Sequence, residues 1–400
     1  MFVYMSFSFF KNKPSLSFVF DIRDSSVSVA VARFEQDKKP EIVLCQHFDL
    51  KYQDSKNHKE YLSSLIRVLD KAVVSVRKGL IRIGNGEKIG AHYFFIGSPW
   101  SVSQSKTIKI VKDKPFEINN AVLEKIILGE ESSVEKNIEE QNLSEDWTLL
   151  EEKIIQTKLN GYKVDNIFGK KTLNLAMELF VSFIPKEIKD KISSFVDEKI
   201  GKNIKRQNNS RILSSYTFFR DLYSNRNDFI CVDLGKIITD VYVVRDDIIF
   251  GVASIPFGEE NIIQTSLSKT SLSRDVFLSH LNIGQDNKFD LISHNNGEDL
   301  LKTGIDLWKN KLTESLSEIC TEMNIPNDMF IVSNSVISQI LVKELSNKEK
   351  GNRFEILGSK IEISDIREGV IDNCILNGKS FANEPYVKMN LVFLDKTLKQ

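Results

Sequence analysis

Cysteine pairs, metal-ligand spacings and long apolar runs are all missing from this chain of 400 residues. Its four cysteines lie far apart and form no CxxC pair, and its five histidines form neither HxxxH nor HExxH. The absences argue against a disulfide framework and a structural zinc site, and they fit a reducing compartment such as the cytoplasm. No apolar stretch reaches the roughly 20 residues that a membrane-spanning helix needs.

A charge bias is missing as well. The formal net charge is -1, with 27% charged and 41% hydrophobic residues. Because this balance creates no overall attractive field, we expect no nucleic acid among the partners. The composition is typical of a soluble globular protein, and a chain of this length predicts two lobes or more.

The first residues, MFVYMSFSFFKNKP, combine an aromatic run with two lysines that follow it. A signal peptide has the reverse order, with its charges before the apolar part. Two interpretations stay open. The segment is a disordered or strand-adding tail, or it is a short interfacial anchor whose lysines meet lipid headgroups. In the second case peripheral membrane contact is made by Phe2, Phe7, Phe9 and Phe10.

The pattern of apolar residues indicates an α/β lobe at the start of the chain. Alternation predicts strands within 18–34 and over 41–50, helical spacing follows over 56–80, and a further strand covers 91–100. Residues 101–200 differ in composition and predict a small α+β insertion. Within it Asn160-Gly161 is a hairpin signal, because both central residues of a type I′ turn need positive φ.

The second half of the chain shows a similar organisation. We expect a helix over 210–224, strands through 229–258, a long helix over 259–283 and another over 301–324. Residues 329–345 read as a strand, a turn and a helix. The chain therefore looks like a duplication at the scale of a lobe.

Two acidic turns carry the functional signal. The segments FVFDIRDSSVSVAV (18–31) and FICVDLGKIITDVYVV (229–244) each run from an apolar strand through an acid and a turn into a second strand. Backbone N–H groups and hydroxyls of such turns can contact a polyphosphate. The acid would hold Mg²⁺ or its waters, since like charges keep it from the phosphate itself. Two such turns could grip one nucleotide between them.

This arrangement resembles the two phosphate loops of the actin-like ATPase superfamily, and within it the FtsA/PilM branch. The segment VDLGKIITD is similar to the VDIGxxxTD of that branch, IPFG at 255–258 is similar to its IPxG, and KLNGYKVDNIFGKK resembles its inserted 1C subdomain. The opening FSFFKNKPS resembles PilM-like openings. The resemblance implies two actin-like lobes, duplicated ribonuclease-H-like units, with the insertion in the first.

The resemblance also implies a site and a domain plan. ATP would be bound with Mg²⁺, the metal being held through water by Asp21 and Asp233. The implied nucleotide-binding residues are Asp21, Arg23, Ser25, Asp233, Gly235, Thr239, Asp240, Ser333 and Asn334. The implied segments are a tail at 1–14, a first lobe at 15–100 and 202–226, the insertion at 101–201, a second lobe at 227–385 and a C-terminal tail at 386–400.

The chain departs from the family pattern in two of the three nucleotide motifs. The first loop should read Asp-x-Gly, but Arg23 stands at the glycine position and would hinder close approach of the backbone. Its guanidinium could contact a phosphate instead. The adenosine loop should hold a Gly-Gly pair, but residues 331–336 contain no glycine, and the Ser333-Asn334-Ser335 turn also fits a plain helix N-cap.

The resemblance implies a bacterial cytoplasmic scaffold, peripheral at the inner membrane, that binds ATP with weak or no hydrolysis. Its partners would be inner-membrane proteins of type IV pilus assembly or of cell division, with self-association as a further expectation. Two alternatives stay open: an interaction platform that has lost nucleotide altogether, and a small-molecule kinase of the same superfamily. No catalytic residue is assigned.

Overall fold

The structure is a computed structural model that describes residues 16–50, 58–84, 87–141, 146–201, 204–283, 296–321, 324–333, 335–346, 354–356, 358–365, 370–381 and 384–399. The predicted N-terminal tail, with its four phenylalanines, lies outside these ranges. Contacts divide the chain into two units, Met1–Ser224 with Glu368–Gln400, and Asn225–Arg367. In the described part of the chain, no helix is both long enough and apolar enough to cross a membrane.

The first unit is built on a five-stranded sheet in the order β3-β2-β1-β4-β9. Its strands are β1 (Leu16–Ile22), β2 (Ser26–Arg33), β3 (Glu41–Asp49), β4 (Ile89–Ile96) and β9 (Lys205–Ser210). β1 is antiparallel to β2 and parallel to β4. All seven residues of β1 are buried, as expected for a strand covered on both faces.

Helices account for that burial. α1 (His58–Arg82) packs against β2 and β3, while α9 (Pro385–Lys399), from the end of the chain, packs against β1 and β2. α3 (Lys186–Lys199) contacts α1, and α4 (Arg211–Leu222) contacts α9. The main core of this unit joins the apolar residues of α1 and α3 to those of β1 and β2.

A second sheet of the first unit forms the predicted insertion. Its order is β5-β8-β6-β7, from β5 (Val102–Glu117), β6 (Trp147–Leu159), β7 (Tyr162–Lys163) and β8 (Lys171–Pro185). α2 (Asn120–Gln141) covers it and shares a separate apolar core with its strands. The hairpin prediction is confirmed, since φ is 49° at Asn160 and 90° at Gly161.

The second unit repeats the topology of the first. Its five-stranded sheet has the order β12-β11-β10-β13-β16, with the same pattern of antiparallel and parallel neighbours. The strands are β10 (Phe229–Leu234), β11 (Thr239–Arg245), β12 (Ile248–Ile255), β13 (Asp328–Val332) and β16 (Glu362–Asp365), with a small hairpin of β14 (Glu355–Ile356) and β15 (Ser359–Lys360). The helices are α5 (Glu259–Leu267), α6 (Arg274–Ile283), α7 (Asn296–Ile319) and α8 (Val336–Ser346).

Matching registers make the duplication specific. Asp21 lies opposite Ser28, which lies opposite His47, across β1, β2 and β3. Asp233 lies opposite Asp240, which lies opposite Ser254, across β10, β11 and β12. The two acidic turns therefore occupy equivalent positions, and the predicted α/β, two-lobed fold is confirmed.

The long helix predicted over 259–283 is wrong, because residues 268–273, SKTSLS, separate α5 from α6. Hydroxyls in this stretch bond to nearby backbone: the Ser268 Oγ donates to the Thr265 carbonyl at 2.7 Å and the Thr270 Oγ1 to the Leu267 carbonyl at 3.0 Å. Such local bonds compete with the helical ladder.

The end of the chain also differs from the expected plan. Residues 386–400 were expected as a C-terminal tail beyond the second lobe, but α9 packs on the first unit and buries most of its surface there. The physical reason is its content of large apolar side chains, which bury against β1, β2 and α4.

Candidate functional site

Asp21 ends β1 and is completely buried. Its Oδ1 lies 3.2 Å from the Nε of Arg211 and accepts a hydrogen bond of 3.0 Å from the Nδ2 of Asn390. Its Oδ2 lies 3.4 Å from the Nε of Arg23. The carboxylate is therefore surrounded by two guanidinium groups and an amide, all from its own unit.

Tyr386, in the first turn of α9, brings the two arginines together. The guanidinium carbons of Arg23 and Arg211 each lie 4.5 Å from the centre of its ring, within cation–π range. Both arginines are less than a tenth exposed. Burial disfavours the charged form of Arg23, but Asp21 and further partners outweigh it, so that its pKa is raised above the ordinary value.

The backbone of the first turn is also held from within the unit. The Trp100 Nε1 donates to the Arg23 carbonyl at 2.8 Å, and the Tyr61 hydroxyl donates to the Asp24 carbonyl. The Leu50 N–H donates to the Ser25 carbonyl at 2.7 Å. Asp24 and Ser25 are themselves buried, so the turn is packed along its length.

Glu384, just before α9, extends this network to the neighbouring strands. It lies 3.1 Å from the His47 Nδ1 on β3 and accepts a hydrogen bond of 2.8 Å from the Ser28 hydroxyl on β2. Burial alone would raise the pKa of Glu384, but the hydrogen bond with His47 and the charge of Arg23 lower it. That same hydrogen bond raises the pKa of His47. The pair is therefore ionic near neutral pH.

The first turn does not fit the magnesium role that the resemblance implied for Asp21. A metal-bound water needs a free carboxylate oxygen, whereas both oxygens of Asp21 face guanidinium groups. Arg23 is likewise turned toward Asp21 and Tyr386. These contacts weigh against a phosphate or metal ligand here; the role of Asp21, Arg23 and Ser25 in nucleotide binding stays an untested prediction.

The second turn has different surroundings. Asp233 is partly exposed at the end of β10. The Gly235 N–H donates to the Ile238 carbonyl at 2.9 Å, closing the turn. Gly258, the glycine of IPFG, packs so closely that a Cβ there would lie 2.6 Å from the Gly235 carbonyl oxygen and the Ile237 nitrogen. Glycine is thus required at 258 by close approach of two backbones.

The N-terminus of α5 is bonded to the same turn. The N–H groups of Glu259 and Glu260 donate to the carbonyls of Gly235 and Lys236 at 3.0 and 2.8 Å. First-turn N–H groups of a helix commonly bind anions. Here the carbonyls of the second turn satisfy two of them.

Thr239 and Asp240, predicted to contact nucleotide, bond within the second unit. The Thr239 Oγ1 donates to the Phe257 carbonyl at 2.6 Å and accepts from the Trp308 Nε1 at 3.1 Å. Asp240 accepts from the Ser254 hydroxyl at 2.5 Å. Thr239 is fully buried and Asp240 nearly so. Both side chains stabilise the start of β11 in the structure.

The turn after β13 contains a carboxylate contact. Both the Ser333 and the Ser335 hydroxyls donate to the Glu259 Oε1, the first at 2.9 Å. Ser335 also accepts from the Ser338 N–H at 3.2 Å, as a helix N-cap does. A carboxylate at this place adds negative charge next to the predicted nucleotide residues. Asn334 lies outside the described residues.

Sequence reasoning missed Arg211, Glu384, Tyr386 and Asn390. A signal for them existed in YVKMNLVFL (386–394), where Lys388 and Asn390 interrupt an apolar run. Both are buried in α9: the Lys388 Nζ pairs with Asp372, and the Asn390 Oδ1 accepts from the Ser214 hydroxyl at 2.8 Å. Polar residues inside an apolar helix predict internal partners, because buried polar groups are almost always hydrogen-bonded.

No family model and no curated protein matches the chain. Among solved structures it is similar to the PilM-PilN type IV pilus biogenesis complex, with a TM-score of 0.58 and 10% identity over 96% of this chain and 99% of that one. It also aligns with the ethanolamine utilization protein EutJ from Carboxydothermus hydrogenoformans, at a TM-score of 0.47 and 9% identity over 96% and 91%.

A third alignment is with a protein of actin-like ATPase fold and unknown function from Bacteroides thetaiotaomicron, at a TM-score of 0.35 and 10% identity over 82% and 95%. The first similarity is the one that supports the fold, since it extends over nearly the whole of both chains. Together with two sheets of identical order and an acid at the same place in each, it leads to one conclusion: this chain is a divergent protein of actin-like ATPase fold, with PilM-type similarity.

Proposed function

We propose that the protein is a cytoplasmic scaffold of PilM type that recruits inner-membrane proteins of a type IV pilus machine. The observation that carries the proposal is the similarity in fold to PilM from end to end of both chains. That structure is of a complex between PilM and PilN, and we transfer to this chain the idea of a folded platform that holds a membrane partner.

We further propose that the scaffold works without nucleotide, which favours the platform alternative over an ATP-dependent device. The support is the surroundings of Asp21, which faces Arg23 and Arg211 and is fully buried. To hold a hydrated Mg²⁺ it would have to leave both cations. Breaking a buried ion pair costs about 3–5 kcal/mol, because the remaining charge is uncompensated.

The position of α9 favours the same proposal. Tyr386 and Asn390 reach the two arginines and the acid of the first turn from this helix. The turn that would contact phosphates in a nucleotide-binding relative thus serves to fasten the end of the chain. The result is a first lobe with a fixed internal structure, suited to presenting surfaces.

Titration calorimetry with Mg²⁺ and ATP tests nucleotide independence. We expect no saturable heat up to about 1 mM ATP for the full chain, which corresponds to a binding free energy weaker than about −4.1 kcal/mol. Binding in the micromolar range that disappears in Asp233→Ala would overturn nucleotide independence. It would restore the ATP-bound scaffold expected from the family resemblance.

Deletion of the gene in its own organism tests the scaffold role separately. We expect loss of surface pili in electron micrographs with unchanged cell length, and restoration of pili by Asp233→Ala. Long, undivided cells with normal pili would replace pilus assembly by cell division as the process served. Normal pili and normal division together would overturn the scaffold proposal in both forms.

A further inference from the structure

The inserted subdomain has an open strand edge. β6 pairs along its length with β8 on one side, whereas on the other side β7 reaches only Lys158 and Leu159. From Glu151 to Gln156, no strand in the described part of the chain pairs with this second edge. An unpaired edge offers backbone donors and acceptors to an added strand.

A cavity of about 710 Å³ lies beside that edge. It is bounded by α2, by β6 and by the segment that follows β7. Its apolar lining consists of Leu123, Ile127, Ile154, Ile155, Val164, Ile167, Phe168 and Leu179. The volume falls within the range of ligand sites, about 300–1,000 Å³, and is enough for several apolar side chains.

One end of the cavity is acidic. Glu152 on β6 is hydrogen-bonded to Glu131 on α2, one turn beyond Ile127 in the same helix. Neither carboxylate takes part in an ion pair within the described ranges, and the Glu131 Oε1 has no hydrogen-bond donor there. The Gln156 Oε1, farther along β6, also finds no donor in the described part of the molecule.

This acidic pair is energetically unfavourable as it stands. Burial and the neighbouring Glu131 raise the pKa of Glu152 to about 8. A cation placed between the two carboxylates would remove their repulsion and supply the missing donors. The groove therefore has a complementary shape and charge for a chain segment that carries a positive side chain.

We infer that the groove between α2 and the free edge of β6 binds an extended partner peptide that has one basic residue next to alternating apolar residues. The peptide backbone adds as a strand to β6, the basic side chain contacts Glu131 and Glu152, and the apolar side chains enter the cavity. The inference rests on the proposed scaffold function, for which it names the docking surface and the chemistry of the partner.

The geometry limits the length and register of the added strand. β6 has irregularities between Leu149 and Glu151 and between Ile154 and Gln156, so its regular edge spans about four residues, Glu151–Ile154. Backbone pairing therefore supplies only part of the affinity. The apolar side chains in the cavity and the basic residue at the acidic end supply the rest, as in other cases of strand addition.

A displayed library of random dodecapeptides, selected against the full chain, tests this inference. We expect the enriched peptides to share one arginine or lysine next to alternating apolar residues. We expect Glu152→Lys to weaken their binding at least tenfold and Glu152→Gln to weaken it less, measured by fluorescence anisotropy. Peptides whose basic residue is replaced by glutamate should bind Glu152→Lys better than the wild type.

Glu117→Lys is the matched control, because it makes the same charge change at an exposed position on β5, the opposite edge of the same sheet. It should leave peptide affinity within about twofold. Equal effects of the two variants would overturn the groove, as would enriched peptides without a basic residue or a library that yields no binder. Proline within the predicted strand of a binder should abolish binding, since it removes a backbone donor.

Two further outcomes separate this inference from others. If the library binds only a chain lacking residues 1–15, the groove belongs to the protein's own N-terminal segment and the assignment to a partner is overturned. If Glu152→Lys fails to bind peptide in vitro yet restores pili in the deletion strain, the groove is wrong as the docking surface while the scaffold function stands.

Discussion

The two acidic turns began as copies and now differ in what surrounds the acid. Asp21 is fully buried between Arg23 and Arg211, under α9. Its counterpart Asp233 is partly exposed, in a turn whose backbone is supported by Gly258 and the start of α5. The same strand position can thus become an internal ion-pair centre in one lobe and stay at the surface in the other.

One residue accounts for much of this difference. The glycine position of the first turn holds Arg23, whose side chain folds back on Asp21, whereas the second turn keeps Gly235. Once a cation is buried beside the acid, both need further partners, since an uncompensated buried charge is costly. Arg211, Tyr386 and Asn390 supply them, which explains why the end of the chain packs on the first unit.

The largest effect is expected from removing the charge of each acid in turn. Asp21→Asn should lower the free energy of unfolding by about 3–5 kcal/mol, because two buried guanidinium groups lose their carboxylate. Asp233→Asn, the same change at the equivalent position, should cost only about 1 kcal/mol. Urea unfolding of both variants measures the contrast. Equal losses would mean that the two acids have the same structural role.

An intermediate effect is expected from filling the space behind the second turn. Gly258→Ala should destabilise the protein by about 1–3 kcal/mol, because its Cβ would lie 2.6 Å from backbone atoms of residues 235–237. Gly129→Ala in α2 is the control: a Cβ there meets nothing within 4 Å, so alanine should stabilise the helix by about 0.5–1 kcal/mol. Thermal unfolding distinguishes the two, and a stabilised Gly258→Ala would contradict the close approach.

The smallest effect concerns pH. The row Asp21–Ser28–His47 contains an imidazole, whereas the row Asp233–Asp240–Ser254 does not. Since folding raises the pKa of His47 from about 6.5, its contribution to stability is fully present below that pH and is lost as pH rises through the raised value. Glu384, whose pKa is lowered, stays ionised throughout this window.

His47→Gln should therefore remove a loss of stability that the wild type shows between about pH 6 and pH 9. Comparing urea midpoints at the two pH values for both proteins measures it. Ser254→Ala, at the equivalent position of the second row, serves as the control and should leave the pH dependence unchanged. An identical pH dependence in wild type and His47→Gln would exclude the pair as its source.

Much of the fold could be predicted because its signals are local. Alternation of apolar residues located β1, β2, β3 and β10, and the Asn160-Gly161 pair located the hairpin of the insertion. The two acidic turns were recognised as equivalent from spacing alone, and the structure places them at equivalent points of two identical sheets. Prediction failed at 268–273, where hydroxyls outweighed a helical pattern of apolar residues.

The candidate site was harder to predict, because its partners are distant in sequence. Asp21 was singled out, but its partner Asn390 lies 369 positions away, and α9 was expected to be a tail. Likewise Ser333 was singled out, but the carboxylate that it contacts, Glu259, lies 74 positions away. Neither contact leaves a periodic pattern in the chain.

What the amino-acid sequence determined by itself is the duplicated α/β framework, since the apolar periodicity and the turn residues act over short distances. What only the tertiary structure decided is the surroundings of each acid. Charge pairing depends on which distant segments pack together, and that packing placed two arginines and the end of the chain around Asp21 while it left Asp233 at the surface.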